Sequence, residues 1–427
     1  MPMNDNKKTI RSSFLRFIKR IGPGIITGAS DDDPSGIATY SQAGAVAGMS
    51  LLWTALFTTP LMISIQEMCA RIGLVTGKGL TGVLHKHYPK PLLYVLASLV
   101  VLANTLNIGA DIAGMSAATY LIFPLPLWIL ALFYSLLVIV LIVFTSYQTF
   151  ASIMKWLVFS LFLYLVVPFL VQTPWLEALR STVIPTIKMD RTFFTLLVAI
   201  LGTTISPYLF FWQAALEVED KKSRLKKMLQ RWIVTKNELK VMRQDVTLGM
   251  VFSNIVMWFI ILTTGITLFT HGITNITTAQ QAAEALRPIA GDAAYAMFML
   301  GIVGTGLLAI PVLAGSSSYV LSEAFGWDGG LNLSFHKAKK FYIVTVFSTL
   351  VGVAMTALGV NPITALLYTA VIYGLISPPL IAVIMHIANN KKIMGTHTNS
   401  VLSNIFGSLT FVVMTLAGVL FVVFSIR

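Results

Sequence analysis

Three consecutive aspartates followed by a helix breaker, Asp31-Asp32-Asp33-Pro34-Ser35-Gly36, interrupt an apolar stretch that runs from Ile21 to about Ala47. A carboxylate at the centre of a bilayer costs roughly 2.5 to 3.5 kcal/mol on insertion scales, so acids at membrane depth face a cavity, a partner or a bound ion. Proline removes a backbone donor and disfavours helical backbone at the residue before it. Together these predict an unwound segment within a membrane helix, with freed carbonyls lining a cavity, and make the segment a candidate cation site.

Composition supports membrane depth. Of 427 residues, 56% are hydrophobic and 11% charged, and the mean hydropathy is +0.80, well outside the range of soluble globular chains. The net charge of +13 does not signal nucleic acid, because the basic residues lie between or at the ends of apolar segments. Cys69 is the sole cysteine, which excludes an intramolecular disulfide and a cysteine-based metal centre and leaves a role as core filler. The basic N-terminus, residues 1–20, resembles a signal peptide only superficially, since acids cut short the apolar run behind it. Ile10, Phe14, Phe17 and Ile21 instead predict one face of a short interfacial helix.

Apolar segments of about 20 residues, the length that crosses a bilayer, begin near Ile21, Leu51, Pro91, Pro126, Ile153, Phe193, Val246, Ala293, Phe341, Pro362 and Leu402. The expectation is an all-α polytopic protein of eleven spans. With the N-terminus cytoplasmic, 25 of the 30 Lys and Arg fall in inside segments, as the positive-inside rule requires. That orientation puts the C-terminus outside and suits a multi-pass protein of a bacterial-type cell membrane.

Eleven spans divide as five, five and one, giving a first repeat over 21–172, a second over 192–386 with a connector at 217–245, and a last span over 402–427. Each group of five opens on a broken helix. The second break is Gly202-Thr203-Thr204-Ile205-Ser206-Pro207-Tyr208. Paired Gly/Pro-interrupted spans in corresponding positions predict an inverted-repeat transporter fold with its site near the midplane.

Five stretches support a family resemblance: Gly22-Pro23-Gly24 through Asp33-Pro34-Ser35-Gly36-Ile37-Ala38-Thr39; Gln66 to Leu80; Asn107-Ile108-Gly109-Ala110-Asp111; Gly304-Thr305-Gly306 through Gly315; and Asn361-Pro362-Ile363. In order and over nearly all spans, the chain resembles the NRAMP divalent-metal transporters. The resemblance implies a five-plus-five LeuT-like fold with one extra helix, and transport of a divalent metal ion as substrate, without a resident cofactor or an obligate protein partner.

The departures from the family pattern are informative. Where the family has Asp-Pro-Gly-Asn this chain has Asp33-Pro34-Ser35-Gly36, and where the family has Met-Pro-His it has Ser206-Pro207-Tyr208. An amide, a thioether and an imidazole are therefore missing. Thioether sulfur favours transition metals, whereas carboxylate, carbonyl and water suit Mg²⁺, Ca²⁺ and Mn²⁺. Mg²⁺ dehydrates reluctantly and is typically held by one or two carboxylates with several waters. The pattern looks like the NRAMP-related magnesium transporter branch, with Mn²⁺ as a second substrate. Loss of the histidine implies transport uncoupled from protons, because a phenol, with an ordinary pKa of about 10, does not titrate near neutrality.

The expected metal ligands are Asp33, the Thr203 carbonyl and the Ser206 hydroxyl, with Gly36 giving room and a backbone contact. Asp32, Asp111, Tyr208 and Glu67 are candidates for the pathway. Glu67 also has a structural reading, a pair with Arg71 one turn along its helix. Asp111 stands between a pathway role and a structural hydrogen bond. Asp31 and Asp32 are not both expected as ligands, since three clustered carboxylates repel one another. None of the six histidines falls at a break, and the connector, with nine Lys/Arg and five acids, reads as a solvated helical link. Two other functions share the broad pattern, a proton-coupled Mn²⁺/Fe²⁺ importer and a sodium-coupled amino-acid transporter. Ser206 with Tyr208 argues against the first, and the acid triplet disfavours a substrate carboxylate. No second catalytic group accompanies the acids, so an enzyme is not expected.

Overall fold

The structure, a computed structural model, describes residues 22–144, 162–228, 232–287, 291–331, 333 and 335–426. The expected interfacial helix ending at Ile21 and the start of the fifth span at Ile153 lie outside the described residues. Among those described, the regular elements are all helices.

The first half comprises α1 (Pro23–Asp31), α2 (Pro34–Ala47), α3 (Trp53–Thr76), the short α4 (Leu80–His87), α5 (Lys90–Tyr120), α6 (Leu127–Phe144), α7 (Phe162–Leu170) and α8 (Trp175–Val183). The second comprises α9 (Arg191–Thr204), α10 (Pro207–Met228), α11 (Lys236–Thr267), the short α12 (Ala279–Ala283), α13 (Ala294–Phe325), α14 (Lys339–Ala357) and α15 (Pro362–Asn389). A small turn, α16 (Lys391–Met394), precedes α17 (Val401–Ile426). Among the described residues, eight helices are long and apolar enough to cross a membrane, including α5, α11, α13 and the α9–α10 pair taken together.

Local chemistry sets the boundaries. Proline opens α1, α2, α10 and α15, where its missing N–H costs nothing. Thr235 and Glu238 form a reciprocal capping box at the start of α11. Gly77, at φ +66°, ends α3 in the left-handed conformation that glycine adopts freely. Helix α11 continues N-terminally beyond the apolar segment expected to open near Val246, running back into the connector as far as Lys236. The described part of the connector is helical up to Met228 and again from Lys236, but it is not solvated throughout: Glu217 and Lys221 are buried.

The broken helices sit at the centre. The paired helices α1 and α2 pack along α11, and α9 packs along α15. Both contacts rely on glycine. A Cβ on Gly28 would strike the Gly249 carbonyl, and one on Gly202 would strike the Ala370 carbonyl. α5 packs against α6, α13, α14 and α15. Large apolar side chains such as Leu102, Phe133, Phe347 and Leu416 point outward, while the four central acids are buried. This apolar surface around a polar interior is what a lipid-embedded bundle requires.

Candidate functional site

Pro34 ends the helical path at Asp32 and forces Asp33 into extended backbone (φ −72°, ψ 172°). Asp33 thereby becomes the N-cap of α2, where the helix dipole favours negative charge. Its Oδ1 accepts from the Gly36 N–H at 2.6 Å and from Ser35 Oγ at 2.7 Å. Asp31 and Asp32 sit at the opposite pole, the C-terminal end of α1, where the dipole opposes them. Ser253 of α11 donates to Asp31 Oδ2 at 2.6 Å and lies 3.5 Å from Asp32 Oδ1. Asp31 Oδ1 and Asp32 Oδ2 are buried without a hydrogen-bond partner.

The second break faces the first. Ile205 leaves helical backbone (φ −113°, ψ 60°), and Pro207 starts α10. Hydroxyl contacts bridge the breaks, one of them between Tyr40 Oη and Thr204 Oγ1 at 3.4 Å. Tyr208 Oη donates to the Ser30 carbonyl at 2.9 Å, and Thr203 Oγ1 donates to Tyr40 Oη at 3.2 Å. Ser206 Oγ turns back on its own helix, donating to the Gly202 carbonyl at 2.9 Å and to the Thr203 carbonyl. Two of the expected ligand groups thus satisfy each other in this conformation.

Gly36 leaves little open space. A Cβ there would lie 3.3 Å from both the Asp31 carbonyl and Asp33 Oδ1, and 3.4 Å from the Tyr40 ring. The apolar pocket lined by Ile37, Ala38, Ser41, Gly114, Phe298 and Leu366 lies beside α2, and the acids do not line it.

Asp111 joins Asp33 through a residue that sequence reading did not single out. Asn107 Nδ2, one turn before Asp111 on α5, donates to Asp33 Oδ2 at 2.8 Å and to Asp111 Oδ2 at 3.3 Å. The i, i+4 spacing of two polar residues in an apolar helix is the signal that could have found it. Glu67 lies elsewhere, paired with Arg71 at 3.2 Å and with Arg243 of α11 at 3.3 Å.

Asp31, Asp32, Asp33 and Asp111 are all at most 2% exposed, and none belongs to an ion pair among the described residues. Buried carboxylates without a counter-charge are costly unless a cation or proton joins them. Nor do three His, Cys, Asp or Glu side chains among the described residues gather as a ready-made metal cage. The polar groups beside these carboxylates are amide, hydroxyl and carbonyl oxygens. That donor set is hard in character.

Known proteins share the sequence pattern and the fold. Residues 24–424 match the family described as natural resistance-associated macrophage protein-like, or Nramp. A protein named divalent metal cation transporter MntH from Caldanaerobacter subterraneus subsp. tengcongensis is 24% identical over 405 residues, spanning 92% of this chain and 90% of that protein. Its namesake from Bacillus subtilis is 26% identical over 409 residues, spanning 91% and 88%. These relatives are named as transporters, not as enzymes. Among solved structures, a manganese transporter from Eremococcus coleocola superposes with a TM-score of 0.73 at 16% identity, over 98% of this chain and 87% of that one. The nucleobase-cation-symport-1 family transporter Mhp1, in a closed conformation, gives 0.56 at 12% identity, over 94% and 90%. Both likenesses carry the fold, the broken-helix inverted repeat expected from the paired Gly/Pro interruptions. With a family match covering nearly the whole described bundle, this multi-pass membrane protein belongs to the Nramp family.

Proposed function

We propose that this chain carries divalent metal cations across a membrane by alternating access, with Mg²⁺ as the principal substrate, Mn²⁺ as a second, and no coupled proton. The carrying observation is Asp33, a buried carboxylate without an ion-pair partner among the described residues, placed at one helix break opposite the other. Asp33 supplies the charge. Ser206, the Thr203 carbonyl and the Gly36 backbone supply weaker oxygen contacts once the bonds between Ser206 and its own helix open. Asp32, Asp111 and Tyr208 flank the path. Ser206 in place of a thioether removes the ligand that selects against hard ions, and Tyr208 in place of an imidazole removes a proton carrier active near neutrality.

The central acids are fully enclosed, so passage requires the two breaks to separate first to one face and then to the other. Orientation follows the basic residues, with the N-terminus cytoplasmic and the C-terminus outside. A second reading is proton-coupled Mn²⁺ or Fe²⁺ import; the relatives' name of divalent metal cation transporter fits both readings, and the manganese transporter among the solved structures lends support to Mn²⁺ as a substrate.

Purified protein in liposomes separates the two. Wild type, Asp33→Asn and Ser206→Met are compared for Mg²⁺ and Mn²⁺ uptake, with a pH dye inside the vesicles. The first change should abolish uptake, the second should shift preference toward softer metals, and the lumen should not acidify with wild type. Mn²⁺ uptake with acidification, and no Mg²⁺ movement or competition, would establish the importer reading instead.

A further inference from the structure

The geometry points to Asn107 as a switchable ligand: its amide NH₂ bridges Asp33 and Asp111 when no ion is bound, and its amide oxygen joins these two carboxylates around the cation when one is. The inference rests on the proposed function, because it assigns a ligand set to the same ion.

One nitrogen, Asn107 Nδ2, donates to a carboxylate oxygen of Asp33 at 2.8 Å and to one of Asp111 at 3.3 Å. Both acids are buried and lack an ion-pair partner among the described residues, and the amide hydrogens lie where a cation would bridge them. A side-chain oxygen of each of the two α5 residues is unsatisfied. Asn107 Oδ1 and Asp111 Oδ1 are each buried with no hydrogen-bond partner, although Asn107 and Asp111 are 0% exposed. A purely structural asparagine would be expected to place its oxygen against a donor, because an unmade bond to a buried acceptor costs about 1–3 kcal/mol.

A half-turn of the amide about its last side-chain bond exchanges nitrogen and oxygen. The exchange is unfavourable beside two bare carboxylates and favourable once a cation sits between them. The rotated amide then offers Oδ1 to the ion, and the ligand set becomes two carboxylates and one amide oxygen. Such all-oxygen sets, completed by water, hold Mg²⁺ and Mn²⁺. Asn107 would thereby return, from α5, the amide oxygen that the first break lacks at Gly36.

The test is calorimetric titration of the purified full-length protein with MgCl₂ and MnCl₂, using wild type, Asn107→Ala, Asn107→Asp and Asp33→Asn, each checked for a monodisperse elution profile. Loss of a direct ligand should weaken both ions at least about tenfold in Asn107→Ala, since even outer-shell partners of a metal commonly matter that much. Asn107→Asp should bind at least as tightly as wild type, because its carboxylate presents oxygen to the ion without rotation. If Asn107→Ala does not fold, Asn107→Asp decides alone.

A structural donor behaves in the opposite way, for a third carboxylate pressed against two would push Asp33 aside and weaken binding. Wild-type affinity in Asn107→Ala, or weakened binding in Asn107→Asp, overturns the inference. Retained affinity in Asp33→Asn would instead remove the site itself, whereas loss there with an unaffected Asn107→Ala would leave the proposed function standing without this ligand.

Discussion

Tyr208 donates its hydroxyl hydrogen to the main-chain carbonyl of Ser30 at 2.9 Å, tying the first turn of α10 to the last turn of α1. That carbonyl is one of those left without an intrahelical partner when the helix stops at Asp31. The phenol thus occupies an oxygen that a cation at the break could otherwise use.

Replacing Tyr208 by Phe keeps the ring and removes this one bond. A buried carbonyl left unpaired costs roughly 1–3 kcal/mol, so the ion-free protein should melt at a lower temperature. Added Mg²⁺ should restore more stability to Tyr208→Phe than to wild type, because the freed oxygen faces the break. Equal thermal shifts in the two proteins would show that this carbonyl lies outside the ion's reach.

Ser253 holds Asp31 from α11 through a 2.6 Å bond. A buried polar group left without its hydrogen bond costs about 1–3 kcal/mol, and among the described residues no ion pair shares the load here. Ser253→Ala should destabilise the protein by that amount, while Ser253→Thr, which keeps the hydroxyl, should retain most of the stability. Matched denaturation profiles of the two variants would show that Asp31 does not depend on this donor.

A third prediction concerns Asp245, whose carboxylate accepts from the Gly22 N–H at 3.0 Å and the Gly24 N–H at 2.6 Å. It caps the start of α1 from a different helix. Loss of a cap typically costs about 0.5–2 kcal/mol, and here the loss falls on the half-helix that leads to the acid triplet. Asp245→Ala should speed amide exchange at Gly24 to Thr27 more than at the start of α15, whose cap is its own Asn361.

The breaks were legible because proline acts locally. Pro34 and Pro207 each stand three residues after a helix end, and Asp33 follows the first of these ends as the N-cap of the next helix. The partners of the acids were not legible, because each comes from a distant helix. Ser253 looks like any membrane-helix hydroxyl, and most of these, such as Thr105 and Ser116, bond the carbonyl four residues back. Nothing in its neighbours distinguishes a serine that instead reaches Asp31 across 222 residues. Asp245 was misread with its surroundings. A charged stretch suggests a solvated face, whereas its carboxylate folds onto the glycine-rich start of α1. Asn107 lay between these extremes, since its four-residue spacing from Asp111 was visible but the convergence of α5 with the first break was not.

Close approach of α1 to α11 supplies the last prediction. A Cβ on Gly249 would run into the Gly24 carbonyl, a backbone atom that cannot swing aside. Overpacking of this kind typically costs about 1–3 kcal/mol, and here it would also wedge α1 away from the helix that carries Ser253 and Asp245. Gly249→Ala should therefore lower the melting temperature and metal uptake together. Gly301 on α13 is the control, as a Cβ there meets no atom within 4 Å. Gly301→Ala should leave both measurements near wild type or slightly raise stability, since alanine is favoured over glycine in a helix by about 0.5–1 kcal/mol. Equal behaviour of the two variants would mean that α1 and α11 are not held at the separation the glycines allow.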